Sequence, residues 1–103
     1  MAAKPDQNIL KTINAYMNAL RANRIQFDAV WLFGSFAQER ANEDSDIDIA
    51  LVMPDVKEKF FKEVELTRYR RQIDSRIEPH IINAADLESP FFRDIVTQGI
   101  RIS

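Results

Sequence analysis

A chain of 103 residues with 46% hydrophobic content is long enough for one core but too short for a second, substrate-binding domain; 14 basic and 16 acidic residues, closely interspersed, leave a net charge of -2 and no global basic field for nucleic acid. Cysteine is absent and His80 is the lone histidine, which excludes disulfides, thiolate metal sites and a histidine zinc cage, so any metal must be a hard one bound by oxygen. No apolar signal core follows Met1 and no run of about 18 apolar residues occurs, which points to a soluble cytoplasmic protein, with no membrane partner, forming a single domain over residues 1–103.

The first element is expected to be a helix from about Asp6 to Asn23. Ile9, Ile13, Tyr16, Met17 and Leu20 recur at helical spacing, and Pro5-Asp6 suits its start. Phe27 to Phe33 then reads as a strand centred on Ala29-Val30-Trp31-Leu32, ended by Gly34. Ser35 to Arg40 can open a short helix whose free N–H groups and dipole favour an anion near Ser35. A polar loop, Ala41 to Ser45, delivers the chain into a strand from Asp46 to Met53, which Pro54 stops.

Val56, Phe60, Phe61, Val64 and Tyr69 predict a helix from about Val56 to Ile73, with Lys57, Glu58, Lys59, Lys62 and Glu63 on its exposed side. Arg68, Arg70 and Arg71 cluster near its C-terminal end, as a solvated helix end or as a contact for triphosphate or a partner. The third strand, Arg76 to Ile82, carries Arg76, Glu78, His80 and Ile82 on one face and Ile77 and Ile81 on the other. Asp86 to Ser89 opens a last helix with Pro90 in its first turn and Phe91, Phe92, Ile95 and Val96 on its apolar side; Phe91 and Phe92 serve as core or as an interface for a homo-oligomer. Gly99 ends that helix, and Ile100 to Ile102 can add an edge strand. This order predicts an α/β fold, a small β-sheet flanked by helices.

Chemistry concentrates in two places. Alternation along the second strand puts Asp46 and Asp48 on one face and Ile47, Ile49 and Leu51 on the other. Two ionised carboxylates about 5 Å apart repel by roughly 1 kcal/mol in water and roughly 3 kcal/mol at an effective dielectric of 20. Magnesium removes that cost, since it takes oxygen ligands and commonly binds one or two carboxylates plus substrate phosphates. A turn cap would account for Asp46 alone but does not require Asp48. Glu78, in the middle of an otherwise apolar strand, needs a reason, and a carboxylate satisfied by Arg76 or His80 on the same face is one. His80 is either packed and hydrogen-bonded or close to the site.

Gly34-Ser35, ten residues, then Asp46-x-Asp48 running into a hydrophobic strand resembles the signature of the DNA polymerase β-like nucleotidyltransferase superfamily. The flanks, Leu32-Phe33-Gly34-Ser35-Phe36-Ala37 and Ser45-Asp46-Ile47-Asp48-Ile49-Ala50-Leu51-Val52, are similar to its minimal nucleotidyltransferase (MNT) group. The resemblance implies a nucleotidyltransferase fold over nearly the whole chain, with a mixed sheet. It also implies that Gly34 admits the nucleotide phosphates, that Ser35 hydrogen-bonds one of them, and that Asp46 and Asp48 ligate two magnesium ions. Glu78 would complete the metal set and orient or deprotonate the attacking hydroxyl. Many MNT domains carry Arg and Gly shortly after Gly-Ser, whereas this chain has Gln38-Glu39-Arg40-Ala41, with Arg40 in position to replace that arginine.

The implied reaction is attack of a hydroxyl on the α-phosphorus of a nucleoside triphosphate, releasing pyrophosphate. MNT proteins pair with all-helical HEPN proteins, and in toxin-antitoxin pairs the MNT partner adenylylates a tyrosine of the HEPN ribonuclease. The leading expectation is therefore an ATP- and Mg2+-dependent protein adenylyltransferase acting as antitoxin. The alternatives are a non-catalytic partner-binding module, and transfer to a small molecule or RNA end with the acceptor site on a partner subunit.

Overall fold

The computed structural model describes residues 6–103. Helix α1 (Gln7–Ala22) is capped by Asp6, whose side chain accepts from the Asn8 N–H at 2.7 Å; Pro5, the other half of the expected start, lies outside the described residues. Strand β1 (Ala29–Phe33) follows, then a 3-10 turn (Ser35–Ala37) and strand β2 (Ile47–Val52). Helix α2 (Lys59–Arg68) leads into strand β3 (Ile77–Ile82), and a 3-10 turn (Ala84–Asp86) leads into helix α3 (Pro90–Gln98) and the short strand β4 (Ile100–Arg101).

The strands form one mixed sheet in the order β3-β2-β1-β4, with β2 parallel to β3 and β1 antiparallel to both β2 and β4. One face meets α1 and α2. There Ile9, Ile13, Tyr16, Met17 and Leu20, all five expected from helical spacing, pack with Val30, Leu32, Ile47, Ile49, Leu51, Ile77, Ile81 and Leu66. Tyr16 is fully buried, and its hydroxyl donates to the Leu66 carbonyl at 2.6 Å, so a polar atom in this core has a partner. Burial pushes that hydroxyl's pKa above its ordinary value.

The opposite face carries three rows defined by register: Ala29, Val52 and Ile82; then Trp31, Ala50 and His80; then Phe33, Asp48 and Glu78. Helix α3, capped by Ser89 with Pro90 at its start, lays Ile95 and Phe92 over the first two rows. The third row is left as the polar end of the sheet.

Helix α2 departs from the expected packing. It begins at Lys59 rather than near Val56, and Phe60 and Phe61 are 70% and 68% exposed, with Val64 also exposed. Its inward stripe is Lys59, Glu63 and Leu66, spaced four and three apart, and Arg70, in the turn just past the helix, continues the same side. Lys59 pairs with Asp86 at 2.8 Å, Glu63 accepts the Ile81 N–H at 2.8 Å, and Arg70 donates to the Ile77 carbonyl at 2.7 Å. The physical reason is the sheet edge. β3 is an outer strand, and its outward backbone groups need partners that phenylalanines cannot supply. Pro79, two residues before Ile81, puts its missing donor on that same outer side.

Candidate active site

Each predicted site residue is placed by a distinct local feature. Gly34 adopts φ +75° and ψ -152°, a conformation essentially confined to glycine, at the turn out of β1. A Cβ at Gly34 would overlap Oδ2 of Asp48. The glycine is thus required twice, by its backbone angle and by the carboxylate lying against it. Ser35 opens the following turn, which is a three-residue 3-10 segment rather than a helix reaching Arg40; its Ser35 carbonyl accepts from both Gln38 and Arg40 N–H. So short a segment lacks the dipole expected of a helix. Arg40 follows Glu39, which has φ +57°, and is exposed.

Asp46 is exposed and sits one residue before β2. The loop before it is tied by Asn42 and Ser45: the Asn42 N–H donates to Ser45 Oγ at 2.9 Å, and Asn42 Oδ1 accepts the Asp44 N–H at 2.8 Å. Arg76 clamps the same loop by donating to the Glu43 carbonyl at 3.1 Å and lying over the Phe36 ring at 5.7 Å. Its main partner is Asp74, at 2.7 Å. The Arg76 guanidinium holds the Asp74 carboxyl below the usual carboxylate range.

Asp48 and Glu78 are register partners on adjacent parallel strands, which places their backbones about 4.8 Å apart with side chains on one face. Each has a protein partner. Asp48 Oδ1 lies 3.4 Å from Nε2 of His80, while Glu78 Oε1 accepts from Arg70 at 3.1 Å. Glu78 is therefore satisfied by an arginine that the sequence placed in a helix-end cluster, and not by Arg76 or His80. Among the described residues no three His, Asp or Glu side chains come close enough to hold a metal ion. The structure brings Gly34 to Asp48 and sets Asp48 beside Glu78, but it leaves Asp46 outside the strand and Glu78 turned to Arg70. In donor chemistry the Asp48–Glu78 pair fits a hard divalent cation, which needs only one or two protein carboxylates beside substrate phosphates.

The aromatic surroundings were not evident from spacing. Phe33 packs edge-on against His80 at 5.1 Å and against Phe91 at 5.6 Å. The pattern that could have shown this is the shared row, since Phe33 pairs with Asp48 and His80 is two residues beyond Glu78 on the same side of β3. A cleft of about 630 Å3 lies at the other end of β1 between Arg21 and Asp28, away from Asp48 and Glu78.

Residues 11–103 match the family model described as polymerase beta, nucleotidyltransferase. The chain belongs to this family. As a nucleotidyltransferase it is 31% identical over 80 residues to a proposed protein adenylyltransferase, MJ0141, of Methanocaldococcus jannaschii, an alignment covering 75% of this chain and 80% of that protein. Among solved structures it is similar to a toxin-antitoxin with AMP-PNP, with a TM-score of 0.70 at 25% identity, covering 91% of this chain and 72% of the other. It shares its fold with a chain from a complex of a tri-AMPylated Shewanella oneidensis HEPN toxin with MNT antitoxin, with a TM-score of 0.64 at 24% identity, covering 92% and 71%. The nucleotidyltransferase is of the MNT type, and its mixed four-stranded sheet flanked by helices is the architecture of these neighbours. None of its described helices is long and apolar enough to cross a membrane.

Proposed function

We propose that this nucleotidyltransferase moves AMP from ATP to a tyrosine hydroxyl of a HEPN-type helical partner, acting as its antitoxin in the cytoplasm. The observation that carries this reading is the packing of Gly34 against the Asp48 carboxylate, with Glu78 in register on the next strand. The resemblance to a proposed protein adenylyltransferase and to a toxin-antitoxin with AMP-PNP supports the choice of nucleotide and of acceptor class.

In this reading Asp46, Asp48 and Glu78 hold Mg2+, two ions when fully loaded, and Ser35 hydrogen-bonds a phosphate of ATP. The Mg2+ that these carboxylates would hold would supply positive charge against the attacking and leaving oxygens. Gly34 keeps the wall beside Asp48 low, so the triphosphate approaches the backbone of the turn. Arg40, exposed beyond that turn, supplies a cation toward the phosphates. The tyrosine oxygen forms a bond to the α-phosphorus, the bond to the pyrophosphate oxygen breaks, and the hydroxyl proton passes to a carboxylate of the Asp48–Glu78 pair. For Glu78 to take part, Arg70 has to release it. The near balance of charge favours a protein acceptor over nucleic acid.

A second reading is favoured by one observation, the Arg70–Glu78 pair, which occupies a carboxylate the chemistry needs. That reading is a module that neutralises its partner by contact alone. Incubation with ATP labelled at the α-phosphate, Mg2+ and a HEPN-type partner separates the two, with RNA and small alcohols as competing acceptors. Label on the partner from the unaltered chain, and none from an Asp46→Ala/Asp48→Ala variant, is the expected result. Equal neutralisation without label transfer would establish the contact-only module; label on RNA or a small alcohol alone would move the acceptor to another class.

A further inference from the structure

His80 is the chain's lone histidine and stands on the site face of β3, one row beyond Asp48 and Glu78. Its register partner on β2 is Ala50, whose methyl leaves the ring room to lean, and the diagonal neighbour on β2 is Asp48, within reach of an aromatic side chain. The imidazole makes that reach: Nε2 lies 3.4 Å from Asp48 Oδ1. Phe33 and Phe91 flank the ring, with centroids 5.1 and 6.1 Å from its own. The other oxygen of Asp48, Oδ2, is the one that lies against Gly34. The carboxylate is therefore bounded at both oxygens, by the turn on one side and by His80 on the other.

We propose that His80 is a positioning residue of the transfer site: it donates from Nε2 to Asp48 Oδ1 and so holds the carboxylate in a fixed orientation against Gly34. The proposal rests on the reading of Asp48 as a magnesium ligand and adds what orients that ligand. An ionised carboxylate only accepts, so Nε2 carries the hydrogen, and Oδ1 keeps a further lone pair for a cation. At 3.4 Å, between side chains 38% and 28% exposed, the contact supplies direction more than stability. Direction is what a metal-binding carboxylate takes from its outer partner, and losing such a partner weakens metal binding or activity although no ligand is lost. Two other roles make different demands. Packing between Phe33 and Phe91 asks only for a flat ring, and accepting the tyrosine proton asks for a ring nitrogen free of its hydrogen. Neither requires Nε2 to face the Asp48 oxygen that Gly34 leaves uncovered.

Two substitutions separate the donor from the ring. His80→Gln keeps a side-chain N–H near the place of Nε2 and removes the ring, whereas His80→Phe keeps a ring between Phe33 and Phe91 and removes the donor. Mn2+ affinity of the full chain is measured by calorimetry, beside the rate of label transfer from ATP to a HEPN-type partner. His80→Phe should weaken Mn2+ binding and slow transfer by about 10- to 100-fold, while His80→Gln stays within about threefold of the unaltered chain in both. Undiminished Mn2+ affinity in His80→Phe would reduce the imidazole to packing, and an equal loss in the two variants would make the ring or a proton acceptor the cause; either result overturns the proposal. Nitrogen NMR of the unaltered chain needs no variant to fold, because a lone histidine gives a single imidazole to observe. With the ring neutral its hydrogen should sit on Nε2, and a hydrogen on Nδ1 would also overturn the proposal. An unaltered chain that binds no Mn2+ removes the metal reading and the proposal together. Mn2+ affinities that follow the expected order, with no label transferred by the unaltered chain, leave His80 as the positioning residue and remove the adenylyl-transfer reading alone.

Discussion

Gly34 and Asp48 form a unit in which neither residue can be changed alone without cost. An alanine at Gly34 would carry a backbone strain of about 1–3 kcal/mol and push its methyl into the carboxylate. Gly34→Ala is therefore expected to lower the unfolding free energy by at least that amount in denaturant titration, and to displace Asp48. Pairing Gly34→Ala with Asp48→Ala should recover the part due to overlap and leave the strain; a fully additive double variant would show that the contact is not the cause. Arg70 offers a second test at this scale. Its pair with Glu78 is partly exposed and contributes about 0–1 kcal/mol, and its bond to the Ile77 carbonyl adds to that, so Arg70→Ala should cost about 1–3 kcal/mol of stability. If Glu78 is a metal ligand, the same change removes a competing cation, and Mn2+ affinity measured by calorimetry should rise. An unchanged or weaker affinity would remove Glu78 from the ligand set.

Helix α2 shows what an element does when its neighbour is a strand edge. Lys59 and Glu63, with Arg70 in the turn just past the helix, face inward to meet Asp86, the Ile81 N–H and Glu78, and the phenylalanines are left outside. Hydrophobic periodicity was a sound guide for α1, whose five apolar positions all pack on the sheet face, and for Val56 and Tyr69 flanking α2, which pack against the same core, but not for Phe60, Phe61 and Val64, where hydrogen-bond demand set the rotation. The same limit hid Arg70 as the partner of Glu78: the residue was visible in a basic cluster, and only the fold could bring it to β3. Asp86, through Lys59, joins α2 to the turn before α3, and the Lys59 ammonium beside it holds its carboxyl below the ordinary carboxylate range, as Arg76 does for Asp74. Because the folded chain binds these protons more weakly than the unfolded chain, both pairs stabilise the fold above the ordinary carboxylate value near 3.8 and lose that contribution as pH falls below it. Thermal melts should therefore show an acid-side loss of stability, reduced in Lys59→Met. An identical pH profile in that variant would exclude the pair as a contributor.

Across the whole molecule, two helices bury one face of the sheet and α3 covers only part of the other, reaching Phe33 through Phe91 and leaving Asp48 and Glu78 of that row uncovered. The motif Gly34-Ser35 to Asp46-x-Asp48 was legible in sequence because glycine geometry and strand alternation are local. The aromatic cluster and the Arg70 contact were not, since each joins residues from separate elements. The central claim is that this polar end of the sheet carries the transfer chemistry and that partner binding does not depend on it. Intact-mass analysis of a HEPN-type partner co-expressed with the chain or with its Asp48→Asn variant tests it most directly. The account predicts an AMP adduct on a tyrosine with the unaltered chain, and an unmodified partner, still in complex, with Asp48→Asn, a loss of at least about 100-fold in transfer. An adduct that survives Asp48→Asn, or neutralisation by the unaltered chain with no adduct, would contradict it.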